Sequence, residues 1–401
     1  MNGTTISKVT GQHEKSVGLS FLLIVSAIIL SATQVKAQCT TVLSDLREPI
    51  GSVLSDQGNL LIAESGDGDL NSGRISIVDA SGNRRTLLDG LPSAASDVGD
   101  PSGPTGIIIL GRDLYLLIGV GDVGIAGPVP GTDLVNPNGP SSPLFSSILH
   151  LHFSAATENR TNGFTLTAEN QQALADGETL TLSNGGSDKV RIELVVNFPN
   201  YLPAPRVDVP DNIQLSNPFG LVLLQDKFYV SDGGRNLVWE VDTKSRCFSA
   251  LALFPQIPNR LFPTFGGPFL DAVPTGITAS DGELLIALFR GGPFPTGSSS
   301  VEKVDICNGS DTTFIGNLTT AIDILPLAQS TSKNYLVLEA SSAGPFFAGP
   351  GEVLRFDDPA GPPAVIADCL TVPSSMTLDK KTGTLYVTQV DGSLISIPFT
   401  N

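Results

Sequence analysis

Apolar residues in this chain fall in runs of four to seven, such as Leu60-Leu-Ile-Ala63, Ile107-Ile-Ile-Leu110 and Leu284-Leu-Ile-Ala287. Gly, Asp, Asn and Pro punctuate the runs. Runs of this length, rich in Val, Ile, Leu, Phe and Tyr and bounded by turn residues, predict β-strands. No stretch shows a sustained helical period, so the pattern predicts an all-β fold.

The runs recur as a phrase. A short strand, often opening after Pro and ending near Gly, leads through a polar turn to a second apolar strand that frequently ends in an acid. A Gly-rich loop, an alternating third strand, a turn and a fourth strand follow. Six copies are legible, opening PIGSVLSDQGNLLIAESGDG, PTGIIILGRDLYLLIGVGD, NPFGLVLLQDKFYVSDGGRNLVWEVD, PTGITASDGELLIALFRGG, AIDILPLAQSTSKNYLVLEASS and VPSSMTLDKKTGTLYVTQVDGSLISIPF. Four-stranded units repeated about a centre predict a six-bladed β-propeller with four-stranded blades. The sixth copy lacks a fourth strand. Cys39–Leu46 resembles Arg85–Leu91, the fourth strand of the first copy, so an N-terminal strand is expected to close the last blade beside Leu394–Pro398 and remove two exposed edges.

The second strands start near Leu60, Leu114, Phe228, Leu284, Tyr335 and Leu385, at spacings of 54, 114, 56, 51 and 50. The long gap means either a seventh blade within 153–216 or an insertion in blade two. The reading adopted is six blades, with Val190–Phe198 as the fourth strand of blade two. Residues 154–189 are then an insertion between its strands three and four, expected as a small hairpin of FTLTAEN with ETLTLSN.

Residues 1–37 read as a signal peptide: a polar Lys-bearing start, an apolar run from Val17 to Ala32, and Val35-Lys36-Ala37 before Gln38. The run is short for a membrane span. Residues 38–401 are then the propeller, in a secreted or periplasmic setting with no span after signal cleavage. Removing three Lys and one Glu, a net +2, takes the chain from −17 to −19. That charge argues against nucleic acid and anionic membrane as partners. Cys39, Cys247, Cys307 and Cys369 allow three full pairings in an oxidising compartment, and none sits in a C-x-x-C. His150 and His152 share one face of a strand and read as sheet-surface residues.

Loops Val120–Pro143, Asn200–Asn217, Pro255–Pro274, Phe289–Ser300 and Ala340–Gly351 are expected on one face, rich in Pro, Gly and Phe. They predict a binding surface for a small molecule or a protein, with Phe265, Phe294 and Phe347 among its contacts. Glu64, Asp232 and Glu339 end the second strands of blades one, three and five, with Asp122 and Asp323 expected nearby. Carboxylates converging on the axis would bind Ca²⁺ or another divalent cation; the local alternative is that each caps backbone N–H groups of its own turn. No nucleophile elbow, phosphate loop or dinucleotide fingerprint is present.

The phrase resembles NHL-type and strictosidine-synthase/gluconolactonase-like propellers. GLPSAASDVGDPSGPTGI, SPLFSSILHL, SNPFGLVLLQDKFYVSDGGRNLVWEVD and FLDAVPTGITASDGELLIALFRGGPFPTG resemble the ScyD/ScyE family of the scytonemin cluster. This resemblance implies a secreted six-bladed propeller and carries over no catalytic set. The insertion at 154–189 departs from the family. The gluconolactonase-like resemblance implies a metal at the channel mouth, with Glu64, Asp232 and Asn217 as positional equivalents. A metal-dependent lactonase-like hydrolase is therefore the alternative to a binding or accessory module.

Overall fold

The computed structural model describes residues 36–328 and 333–399. The expected signal peptide lies outside them except for Lys36 and Ala37.

Repeats one to five each place four antiparallel strands in sequence order in one sheet, with a short fifth strand added at the edge in repeats one and two. Repeat one uses Pro49–Leu54, Leu60–Glu64, Gly73–Val78 and Arg84–Leu91; repeat two uses Pro104–Leu110, Asp113–Ile118, Ser147–Phe153 and Lys189–Asn197. Repeat three uses Pro218–Leu224, Lys227–Asp232, Leu237–Asp242 and Phe248–Leu253; repeat four uses Pro274–Ser280, Glu283–Leu288, Ser299–Val304 and Asp311–Leu318. Repeat five uses Ala321–Ala328, Lys333–Glu339, Gly351–Phe356 and Ala364–Leu370. In repeat six, Pro373–Asp379, Thr384–Gln389 and Leu394–Pro398 are joined by Thr40–Leu43, with Thr40 opposite Ser396. Cys39, beside that N-terminal strand, is disulfide-bonded to Cys369 in the last strand of repeat five, while Cys247 and Cys307 are free and exposed.

The second strands read as continuous apolar runs because both their faces are buried. Leu61 and Ala63 pack with Leu114 and Leu116 of repeat two, whereas Leu60 and Ile62 pack with Leu394 of repeat six. The same two-residue alternation sends Val230 toward repeat two and Tyr229 toward repeat four, then Leu336 toward repeat six and Val337 toward repeat four. First strands touch in chain order, and Pro373–Asp379 touches Pro49–Leu54 in turn. This cyclic arrangement of sheets is propeller-like.

Close approach explains the Pro-x-Gly opening. A Cβ on Gly51 would lie 2.3 Å from the Thr105 carbonyl oxygen, and one on Gly220 would lie 2.5 Å from that of Thr275. Only glycine allows adjacent first strands to come that near. Repeats five and six carry Asp323 and Ser375 at this position.

Residues 154–189 differ from the expected hairpin. Ala155–Arg160 and Ala168–Ala175 are helices, N-capped by the side chains of Ser154 and Thr167. Phe164–Thr165 pairs in parallel with Leu88 and Asp89 of repeat one, not with Leu180–Ser183, which pairs instead with Lys189–Ile192. The segment thereby leaves repeat two and packs on the edge of repeat one, where Phe164, Leu166 and Leu174 join the core shared by both. Fully buried Glu158 holds it there, accepting from Asn59 Nδ2 at 2.8 Å and Arg112 at 2.6 Å. The loops Val120–Pro143 and Asn200–Asn217 are likewise more ordered than expected. They contribute Gly124–Ala126, Asp133–Val135, Tyr201–Pro203 and Ile213–Leu215 to a small four-stranded sheet.

Candidate functional site

The strand-ending acids serve their own repeats. Glu64 is fully buried; it accepts the Arg47 N–H at 2.6 Å and the Arg74 guanidinium at 2.7–2.8 Å, with Ser76 as a further donor. Asp232, also fully buried, accepts from the N–H groups of Asn217 and Arg235, Ser216 Oγ and Trp239 Nε1 at 2.6–3.1 Å. Glu339 accepts the Thr319 N–H at 2.6 Å, and Gln389 accepts that of Thr371 at 2.6 Å. The shared task is to hold the link that enters the first strand of the same repeat. An uncharged amide performs it in repeat six, so the task requires an oxygen acceptor and not an ion. The structure does not bring Glu64, Asp232 and Glu339 together. Among the described residues, no three His, Cys, Asp or Glu side chains form a group that could hold a metal ion.

Two other expected site residues are also held locally. Asp122 accepts from the Ser141 N–H and hydroxyl at 2.8 and 3.0 Å, and Asn217 Oδ1 accepts the Val120 N–H at 3.2 Å. Asp323 lines a cavity of about 340 Å³ walled by all six first strands, with Ser52, Thr278, Ser375 and Met376 among its neighbours. It accepts the N–H groups of Ile324 and Met376 at 2.8 and 3.0 Å, yet burial pushes its carboxyl up to about 6. It is thus a channel residue, not a mouth residue.

Carboxylates outside the expected set do meet on the loops. Asp133 is pushed up to about 7, first by burial, then by Asp97, with which it shares a hydrogen bond, and by Asp271. Because Asp133 pairs with Ile213 in the small sheet, the encounter depends on loop pairing that strand periodicity does not encode.

The phenylalanines converge from three loops. Phe294 stacks on Phe347 with ring centroids 4.9 Å apart, Phe289 flanks both, and Phe265 meets Phe346 edge-to-face at 5.9 Å. Backbone bonds order these loops: Phe346 N–H donates to the Pro293 carbonyl at 2.8 Å, and Asn259 Nδ2 donates to the carbonyls of Phe265 and Gly267. Phe262, Phe269 and Phe346 are each more than half exposed. The result is an aromatic surface fixed by its own loops. The expected histidine pair sits elsewhere, on repeat two, where Asp113 accepts from both rings at 2.7–2.8 Å and Glu193 lies 2.9 Å from His150.

No protein-family model matches the chain, and no curated protein does. Several solved structures are similar to it. A gluconolactonase from Xanthomonas campestris is 12% identical, with a TM-score of 0.49 over 91% of this chain and 90% of that one. A virginiamycin B lyase from Staphylococcus aureus is 13% identical, with a TM-score of 0.44 over 91% of this chain and 99% of that one. A putative glucose dehydrogenase from Thermus is 14% identical, with a TM-score of 0.46 over 90% of this chain and 99% of that one. None of their activities carries over to this chain.

Proposed function

We propose that this chain is an exported six-bladed β-propeller of the ScyD/ScyE type. We assign it the role of a binding or accessory module that holds a small molecule or a protein on its Pro/Phe-rich loops. The observation that carries the reading is the ordered aromatic surface of exposed Phe265, Phe346 and Phe347, with half-buried Phe294 stacked on Phe347. Large apolar side chains held in water by dedicated loop hydrogen bonds suit recognition, because the loops need little further ordering on binding. Six successive sheets, each with four antiparallel repeat strands and two of them carrying a fifth edge strand, support the blade count. The disulfide Cys39–Cys369 supports an oxidising compartment. A cation-dependent hydrolase is not favoured by any observation, since the strand-ending acids are engaged by their own strands.

The test is titration with 8-anilinonaphthalene-1-sulfonate, comparing the wild type with the Phe265→Ser/Phe294→Ser/Phe347→Ser variant at equal far-UV circular dichroism. The expected result is dye binding by the wild type and its loss in the variant. Equal binding by the two would remove the aromatic surface as the site.

A further inference from the structure

Glu64 and Glu339 occupy the same place in repeats one and five, but their cross-strand neighbours differ in charge. Opposite Glu64 stands Arg74, whose guanidinium pairs with it at 2.7 Å; opposite Glu339 stands Glu352. Glu339 is only 5% exposed, and one of its oxygens accepts the Thr319 N–H. Among the described residues no hydrogen-bond donor meets the other oxygen. Both carboxylates line a cavity of about 660 Å³ between repeats four and five, with walls that include Phe314, Leu354, Phe356 and Pro362.

A buried carboxylate without a counter-charge costs several kcal/mol unless something neutralises it. In repeat one the chain itself supplies the cation. In repeat five it supplies a second anion and an open cavity whose walls mix Phe, Leu and Pro with hydroxyl side chains such as Thr313 and Ser342. Burial and the Glu352 charge push Glu339 up to about 7; burial raises Glu352 as well, opposed by a hydrogen bond from Ser342, with Asp368 adding to the rise and Lys36 opposing it. Lys36 is ion-paired with Asp368.

We propose that the groove between repeats four and five binds an organic cation, whose ammonium or guanidinium group sits between Glu339 and Glu352 as the Arg74 guanidinium sits beside Glu64. The two carboxylates take the charge and the Phe, Leu and Pro walls take an apolar body. The aromatic rings suit a cation further, since their faces attract positive charge. A metal ion fits less well, because two carboxylates alone leave a hard divalent cation far short of its six or more oxygen ligands. This site does not rest on the aromatic loop surface proposed above.

Calorimetric titration of the full chain with phenethylammonium, and with neutral 2-phenylethanol as control, tests the proposal. The expected result is one-to-one binding of the ammonium, with the alcohol weaker by about tenfold or more, as loss of one charged hydrogen-bonding partner implies. Glu352→Arg recreates the Arg74 arrangement, so it is expected to abolish ammonium binding and raise the melting temperature. Glu339→Gln keeps the acceptor for Thr319 and is expected to weaken binding by about tenfold while remaining folded. The Phe265→Ser/Phe294→Ser/Phe347→Ser variant is expected to bind phenethylammonium as the wild type does. No binding by the wild type, equal binding of ammonium and alcohol, or undiminished binding by Glu352→Arg would each overturn the proposal.

Discussion

Arg112 and Glu158 form an ion pair at 2.6 Å that joins the second repeat to its own excursion, with Glu158 fully buried between them. Asn59 and Ser55 of repeat one complete the shell around the carboxylate. Glu158→Ala leaves Arg112 without its partner and removes the acceptor that ties the excursion to repeat one. The expected loss is about 3 kcal/mol, checked by chemical denaturation. Amide exchange should accelerate in residues 154–189 before it does so in the repeat strands.

The bond between Cys39 and Cys369 spans 330 residues of sequence and fastens the N-terminal strand to the neighbouring repeat. Cys39→Ser is expected to cost about 3 kcal/mol, and reductant should lower the melting temperature of the wild type but not of that variant. Peptide mapping without reductant should recover one cross-link, with Cys247 and Cys307 labelled as thiols. A cross-link involving either of those two would contradict the assignment.

Glu64 and Glu339 should respond oppositely to amidation. Glu64→Gln leaves the Arg74 guanidinium buried without a charge partner and is expected to cost about 3 kcal/mol. At Glu339 the raised carboxyl binds its proton more tightly in the folded chain than in the unfolded one. Stability from this group is therefore present below about 4.5 and is lost as pH rises to about 7. Glu339→Gln removes that loss, so its melting temperature should overtake the wild type's across this window. Parallel pH profiles for the two proteins would refute the assignment.

Asp113 and Glu193 predict the reverse slope. Burial raises both, but the bonds from His152 and His150 hold Asp113 below the usual carboxylate range, and those from His150 and Arg246 do the same for Glu193. Their stabilisation is present above the unfolded values and is lost as pH falls below about 4. The Asp113→Asn variant should lose less of its melting temperature than the wild type between about pH 5 and about pH 3.

Much of this architecture was legible because each repeat states it again. The runs at Leu60, Phe228 and Leu284 mark strands buried on both faces, and the resemblance of Cys39–Leu46 to a fourth strand anticipated its pairing with Leu394–Pro398. The two helices of the 154–189 segment are six and eight residues long, too short to impress a period on the sequence. The acids at strand ends were visible, but their task was not. Gln389 was the available clue, since it stands at the same position in repeat six without a charge. The Phe cluster was legible as a composition of loops, whereas its pairings required the loops' own geometry. Glu352 stands out only when repeat five is aligned on repeat one, which places it opposite Glu339 where Arg74 stands opposite Glu64.

The pairing of Thr40–Leu43 with Leu394–Pro398 also sets an order in time. Among the strands of the six repeats, Thr40–Leu43 is made before all the others and its partner Leu394–Pro398 after all the others. Until then Thr40–Leu43 has no ladder to join, and Cys39 has no partner until Cys369 of repeat five has been made. Repeat six therefore cannot be completed until Leu394–Pro398 has been made, and a nascent chain arrested before Leu394 should be sensitive to protease at Thr40–Leu43.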